Sequence, residues 1–360
     1  MSTRRGRTNL SVAAPPVLVE VLRGGTVESR HRGALVAVRT DGTLLASVGD
    51  PDRLTFLRSS AKPFQLAPFV ASGRFDGYDF GNPTEALAIM AASHSGEDRH
   101  VRTVQALLRQ GGLTREVLQC GVHAPYDLET AQRLLRDAEP LTPLRHNCSG
   151  KHAGMALHAK AAGWEVERYW HPDHPVQRLA LETLARLADV PADEIVTGTD
   201  GCGVVTFALP LRGLALAFAR LADPSGVTDG DLRSALERIR DAMMAHPEMV
   251  AGERRRFDTA LMRARRGAVV SKGGAEGVQA VGVLAGHARN DEPGAIGFAL
   301  KIEDGDAARR AGSTATCGAL AQLGILDSEA LGTLGDYASP PIRDPRGEVS
   351  GEVRAAFALS

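Results

Sequence analysis

Cysteine is scarce in this sequence, its charge is balanced, and it has no long apolar run. Each absence removes a class of function. Four cysteines (Cys120, Cys148, Cys202 and Cys317) in 360 residues are too widely spaced for a disulfide framework or a CxxC pair. Free thiols or metal ligands of a reducing compartment are the expectation. Lys plus Arg total 42 against 43 for Asp plus Glu, a net charge of -1. That leaves no basic footprint for nucleic acid and no attraction to anionic lipid. No run of roughly 18 apolar residues is available to span a bilayer; the nearest, 204–222, is broken by Pro210, Arg212 and Arg220. Arg4, Arg5 and Arg7 lead into Pro15, Pro16 and Glu20 rather than an apolar stretch. Neither a secretory nor a twin-arginine signal is expected, and a cytoplasmic location is. The expected partner is a small molecule.

What is present suits a folded chain with a large core. Hydrophobic residues make up 43% and charged residues 24%, ordinary values for a soluble fold. Residues 1–16 read as a loose tail. Strand patterns occupy 17–21, 34–39 and 44–48, the last two joined by the hairpin signal Asp41-Gly42. From about 59 the period turns helical, with helices over 100–110, 128–138, 150–162, 176–188, 213–222 and 228–245 and a start at Thr84. Strands return at 268–271, 277–285 and 295–302, and a last helix is expected from Gly305-Asp306 to about Leu323. Terminal strands bury their faces by meeting in one sheet. The predicted fold is α+β: an antiparallel sheet built from both ends of the chain, flanked by helices, with a helical lobe inserted. In domain terms, 17–360 is one catalytic unit; 17–58 and 265–325 form an α/β lobe and 59–264 a mainly helical region.

Three blocks carry nucleophile chemistry. In Arg58-Ser59-Ser60-Ala61-Lys62-Pro63, proline is tolerated only in a first helical turn. Ser59 and Lys62 then stand at i and i+3, on one helix face. A serine hydroxyl needs a base, and a lysine serves if burial or nearby positive charge lowers its pKa. Taken alone, S-x-x-K is equally a capping serine with a surface lysine. Ser93-His94-Ser95-Gly96-Glu97 follows an apolar helix and reads equally as a C-cap and a new helix start. In Ser271-Lys272-Gly273-Gly274, a lysine closes a β-branched run and paired glycines admit close approach. In order, these blocks match the S-x-x-K, serine-loop and late-strand lysine pattern of penicillin-recognising serine enzymes.

A fourth block, Asn147-Cys148-Ser149-Gly150-Lys151, with Asp200-Gly201-Cys202-Gly203 downstream, sets two thiols in Gly-rich surroundings. Spacing alone favours two unreactive buried thiols over a metal site, since no fourth protein ligand is evident.

These blocks, together with His246-Pro247-Glu248-Met249-Val250-Ala251-Gly252 and Lys272-Gly273-Gly274-Ala275-Glu276-Gly277, resemble the Rhizobium etli-type (class 3) L-asparaginases over about 17–325. The resemblance implies a fold similar to serine β-lactamases and glutaminases. It implies hydrolysis of L-asparagine to L-aspartate and ammonia by a homodimer. It also implies two Ser-Lys pairs, Ser59 with Lys62 and Ser93 with Lys272, and an arginine beside the nucleophile at Arg58. A zinc ion held by Cys148, Lys151 and Cys202, with Asp200 close by, is implied in the same way. The competing expectations are a glutaminase, another Ser-Lys hydrolase of the β-lactamase or esterase type, and a non-catalytic zinc-dependent ligand-binding protein.

Overall fold

The computed structural model describes residues 14–288 and 292–360. Most of the expected N-terminal tail therefore lies outside the described residues.

Eleven strands are described: β1 (Val17–Arg23), β2 (Thr26–Arg39), β3 (Leu44–Val48), β4 (Leu54–Phe56), β5 (Val196–Thr199), β6 (Val205–Pro210), β7 (Val269–Gly274), β8 (Val278–Val283), β9 (Ile296–Ile302), β10 (Pro341–Arg343) and β11 (Val349–Ala355). Eight form one antiparallel sheet in the order β10-β11-β1-β2-β9-β8-β7, with β3 beside β2. This is the α+β sheet expected from both chain ends. The β2–β3 hairpin turns at Asp41-Gly42, where Gly42 has φ 87°, a conformation that suits glycine.

The helices are α1 (Lys62–Ala71), α2 (Pro83–Met90), α3 (Asp98–Gln110), α4 (Leu128–Arg136), α5 (Ser149–Ala161), α6 (Pro175–Ala188), α7 (Leu211–Ala222), α8 (Gly230–Ala245), α9 (Pro247–Val250), α10 (Phe257–Ala264), α11 (Ala311–Gln322) and α12 (Ser328–Leu334). Several start where the sequence supplies a cap. Asn82, Asp127 and Asp229 each accept a backbone N–H three residues on, and Pro83 fills the first helical position. Strand β8 is buried along its whole length, so both faces of the sheet are covered. Helix α7 packs on β2, β8 and β9, and α11 packs on β1, β9 and β11. The α7 contact is backbone on backbone: a Cβ on Gly297 would sit 1.7 Å from Ala215 O.

Several expectations need adjustment. The helix expected from Gly305-Asp306 is α11 and begins at Ala311, because Asp306 folds back (φ 49°) and its carboxylate accepts the N–H groups of Arg310, Ala311 and Gly312; α12 follows it. Within the mainly helical stretch 59–264, β5 and β6 form a small sheet with β4. Helix α7, read as part of that stretch, serves the main sheet. Strands β10 and β11 were not expected at all. Among the described residues, no helix is long and apolar enough to cross a membrane.

Candidate active site

The four serines and lysines of the sequence reading converge. Arg58–Ala61 forms a single 3-10 turn leading into α1, with Lys62 the first α1 residue as Pro63 requires. That turn is pinned to β7: Ser60 Oγ donates to Lys272 O at 3.0 Å. The paired glycines of β7 allow this approach, because a Cβ on Gly274 would come within 2.8 Å of Leu57 O and 3.2 Å of Ser60 Oγ. Ser60 carries no chemistry in the sequence reading; its role shows only when β7 is brought against the turn.

Ser93 sits on a fully buried, irregular segment after α2. The segment is held by the His246–Gly252 block. Ser93 N–H donates to Val250 O at 2.9 Å and Ser95 Oγ to Ala251 O at 2.9 Å, while Arg256 donates to Ser93 O and Ser95 Oγ, both at 2.8 Å. On the other side Gly96 N–H donates to His94 Nδ1, which fixes Nε2 as the protonated nitrogen; it meets Ser149 Oγ at 2.9 Å.

Lys62 and Lys272 are both 0% exposed. Lys62 Nζ reaches Ser93 Oγ at 2.8 Å, Ala92 O at 2.5 Å and Cys148 Sγ at 3.2 Å. Lys272 Nζ reaches Ser93 Oγ at 3.0 Å and Gly273 O at 2.7 Å. Ser93 thus bridges both amines, and among the described residues no hydrogen bond joins Ser59 to Lys62. Ser93 is hydrogen-bonded to Lys272, while Lys62, expected to face Ser59, bonds Ser93. Burial lowers the pKa of Lys62. Burial likewise pushes Lys272 down to about 7, helped by Lys62 and Arg256 and opposed by Asp258 and Cys148. A hydroxyl has one proton to give. The bridge is best satisfied when one amine is neutral and accepts it while the other is charged and donates.

Ser59 and Ser93 both line a cleft of about 410 Å³, with Tyr126, Asn147, Asp258 and Arg309 on its walls. Arg58 has a left-handed backbone (φ 51°), and its Nε holds Asp200 Oδ1 at 2.8 Å. Asp200 also takes the N–H of Gly201 at 2.9 Å.

Cys148, Lys151 and Cys202 adjoin this centre. Lys151 Nζ meets Cys202 Sγ at 3.0 Å, and Asp200 Oδ2 lies 3.7 Å from the same sulfur. Cys148 sits well below the ordinary thiol range, first through a hydrogen bond from Cys202 and then through Lys62 and Lys151, which together outweigh burial. Among the described residues, no group of three or more His, Cys, Asp or Glu is placed to hold a metal. Two sulfurs are soft donors of the kind zinc takes, and the Lys151 amine can join them only on giving up its proton. Among the described residues, His152 Nε2 is buried with no well-formed hydrogen bond, and Cys202 is the thiol that acts on that ring. The residues present therefore fit a zinc ion. Cys120 and Cys317 are buried thiols, each pushed up to about 12 by burial, as inert packing requires.

Comparison with curated sequences finds no match. Among solved structures, the chain is similar to a probable glutaminase from Bacillus subtilis complexed with 6-diazo-5-oxo-L-norleucine (14% identity, TM-score 0.38, covering 81% of this chain and 83% of that one). It is similar also to a Bacillus glutaminase (14% identity, TM-score 0.38, covering 82% and 92%). At such TM-scores these likenesses carry no argument about activity. The family model described as L-asparaginase II matches residues 19–355. With that match running over nearly the whole sheet, both lysines and both thiols, the chain belongs to the L-asparaginase II family of amidohydrolases.

Proposed function

We propose that the chain hydrolyses L-asparagine to L-aspartate and ammonia through an acyl-enzyme. The observation that carries this reading is the Ser93 hydroxyl held between two buried lysine amines at 2.8 and 3.0 Å, beside a cleft that Ser59 also lines. Ser59 Oγ attacks the side-chain amide carbon, and its proton passes to the lysine pair, with Lys62 one helical turn away as the first acceptor. Backbone N–H groups of the 3-10 turn stabilise the oxyanion. The leaving nitrogen takes a proton from the pair and departs as ammonia, and water then cleaves the aspartyl ester. The two lysines titrate as a coupled pair, and Ser93 passes the proton between them. A second reading makes Ser93 the nucleophile, since it and not Ser59 is hydrogen-bonded to both amines.

Cys148, Lys151 and Cys202 would hold zinc, with Asp200 orienting from behind. When bound, the ion supplies a fixed positive charge and Lewis acidity suited to gripping the α-amino or α-carboxylate end of an amino acid. A homodimer and a cytoplasmic location complete the proposal; light scattering of the purified protein tests the first.

The deciding assay is ammonia release from L-asparagine and from L-glutamine, with and without added zinc, beside a chromogenic β-lactam. Turnover of L-asparagine above that of the others is expected. A glutaminase would differ by one methylene, a discrimination of about 10–200-fold. Ammonia from neither amide, with metal and amino acid still bound, would leave a ligand-binding protein.

A further inference from the structure

Asp258 on α10 carries a buried carboxylate that the proposed chemistry does not use. It is 6% exposed and is surrounded by donors from β7 and β8. Oδ1 accepts from Ser271 Oγ at 2.8 Å and from Gln279 Nε2 at 2.8 Å, and Oδ2 accepts from Gly273 N–H at 2.9 Å. Gln279 Nε2 also reaches Ser271 Oγ at 2.9 Å. Among the described residues Asp258 has no ion-pair contact. A buried carboxylate is costly unless a cation compensates it. Lys272 follows Ser271 on the same strand, and its Nζ donates at 2.7 Å to the carbonyl of the same Gly273 whose N–H Asp258 takes. The glycine is gripped at both ends with little room: a Cβ there would lie 3.0 Å from Gln279 Oε1 and 3.4 Å from Asp258 Oδ2.

We propose that Asp258 is a positioning residue for Lys272: it fixes the Gly273 peptide on which the amine rests and supplies the buried negative charge that sets that amine's protonation. Against burial, the charge of Lys272 first, then the Gly273 N–H, Gln279 and Ser271, keep the carboxylate ionised. The other charged or titratable groups bearing on Lys272 are Lys62 on α1, Arg256 at the start of α10 and the Cys148 thiol at the start of α5. Lys62 and Arg256 work against the ammonium form and Cys148 works for it. The charge balance at Lys272 therefore depends on Asp258, and the proposal rests on the hydrolase reading only for the consequence in turnover.

The test is the ionisation of Lys272 in wild type, Asp258→Asn and Ser271→Ala. The chain holds five lysines, so protein labelled with nitrogen-15 in lysine gives a short set of side-chain signals, with Lys272 assigned through Lys272→Arg. Lys272 should titrate about one to three pH units lower in Asp258→Asn, the usual effect of losing an opposite charge within a few ångströms. It should stay near its wild-type position in Ser271→Ala, which loosens the same network without removing the charge. The neutral-pH limb of kcat/KM for L-asparagine should move with the signal. A Lys272 titration unmoved in Asp258→Asn, or moved equally in Ser271→Ala, overturns the assignment and leaves a structural staple. Should Asp258→Asn fail to fold, Asp258→Glu keeps the charge; a Lys272 titration moved there by more than half a unit overturns it equally. A wild type that releases no ammonia defeats the hydrolase reading, while the lysine titration still decides this one.

Discussion

Lys272 and Lys151 are the same residue in comparable burial, yet their environments push them in opposite directions. Lys272 is surrounded by a hydroxyl, a carbonyl, two further cations and Asp258, and burial brings it to about 7. For Lys151 burial pulls the same way, but the sulfurs of Cys202 and Cys148 and the carboxylate of Asp200 overcome it and raise the amine. Burial alone does not decide the charge of a lysine; the sign of what it is buried against does. In a sequence with five lysines among 42 basic residues, three stand in this one site. Arginine, which stays charged throughout, would not serve in the place of Lys272.

The largest expected effect is on the nucleophile. Ser59→Ala should lower kcat by about 10⁴-fold or more with the melting temperature unchanged within a few degrees. A Ser59→Ala enzyme that keeps a tenth of its turnover, beside an inactive Ser93→Ala, would transfer the role to Ser93. Next come Lys62→Met and Lys272→Met, each expected to cost about 10²–10⁴-fold. Their losses should not multiply in the double variant, because one coupled pair is broken either way. Multiplying losses would mean that the amines act separately.

The contrast is sharpened by pH. If the neutral form of Lys272 is the active one, kcat/KM rises about tenfold per unit below about pH 7, then levels as the proton is lost. A profile flat from pH 5 to 9 would place Lys272 outside the reaction. Removing metal with a chelator should raise KM about tenfold while lowering kcat less, as expected of a group that grips substrate. An equal fall in kcat and kcat/KM with KM unchanged would count against that role. The smallest effect is expected from Arg58→Lys, which gives up the Arg58–Asp200 geometry for about 1 kcal/mol, seen as a few-fold rise in KM.

Much of the architecture is legible in local pattern. Alternation and the Asp41-Gly42 turn give the first hairpin, and periodicity gives most helices of the middle region. Strand β11 escapes because its partner β1 lies more than 300 residues away in sequence, and β10 escapes with it because it pairs only with β11; short strands depend on such pairing rather than on propensity. The α11 start is misread because the left-handed turn at Asp306 is a backbone choice that the Gly-Asp pair only permits. At the site, the four serines and lysines were readable as motifs. Their wiring was not: spacing put Lys62 opposite Ser59, whereas the fold presents Ser93 to it. Ser60, Arg256 and Asp258 are silent in the sequence, because what they hold arrives from other elements.

The segment bearing Ser93 is locked from beneath by Gly252. At that glycine (φ 142°), a Cβ would lie 2.3 Å from Ser95 Oγ. A hollow whose floor is clamped in this way has met its ordering cost before any ligand arrives. It has correspondingly little freedom to deepen for a longer guest, so discrimination between amides that differ by one carbon would come from rigidity beneath the reacting atoms rather than from any contact with the extra methylene.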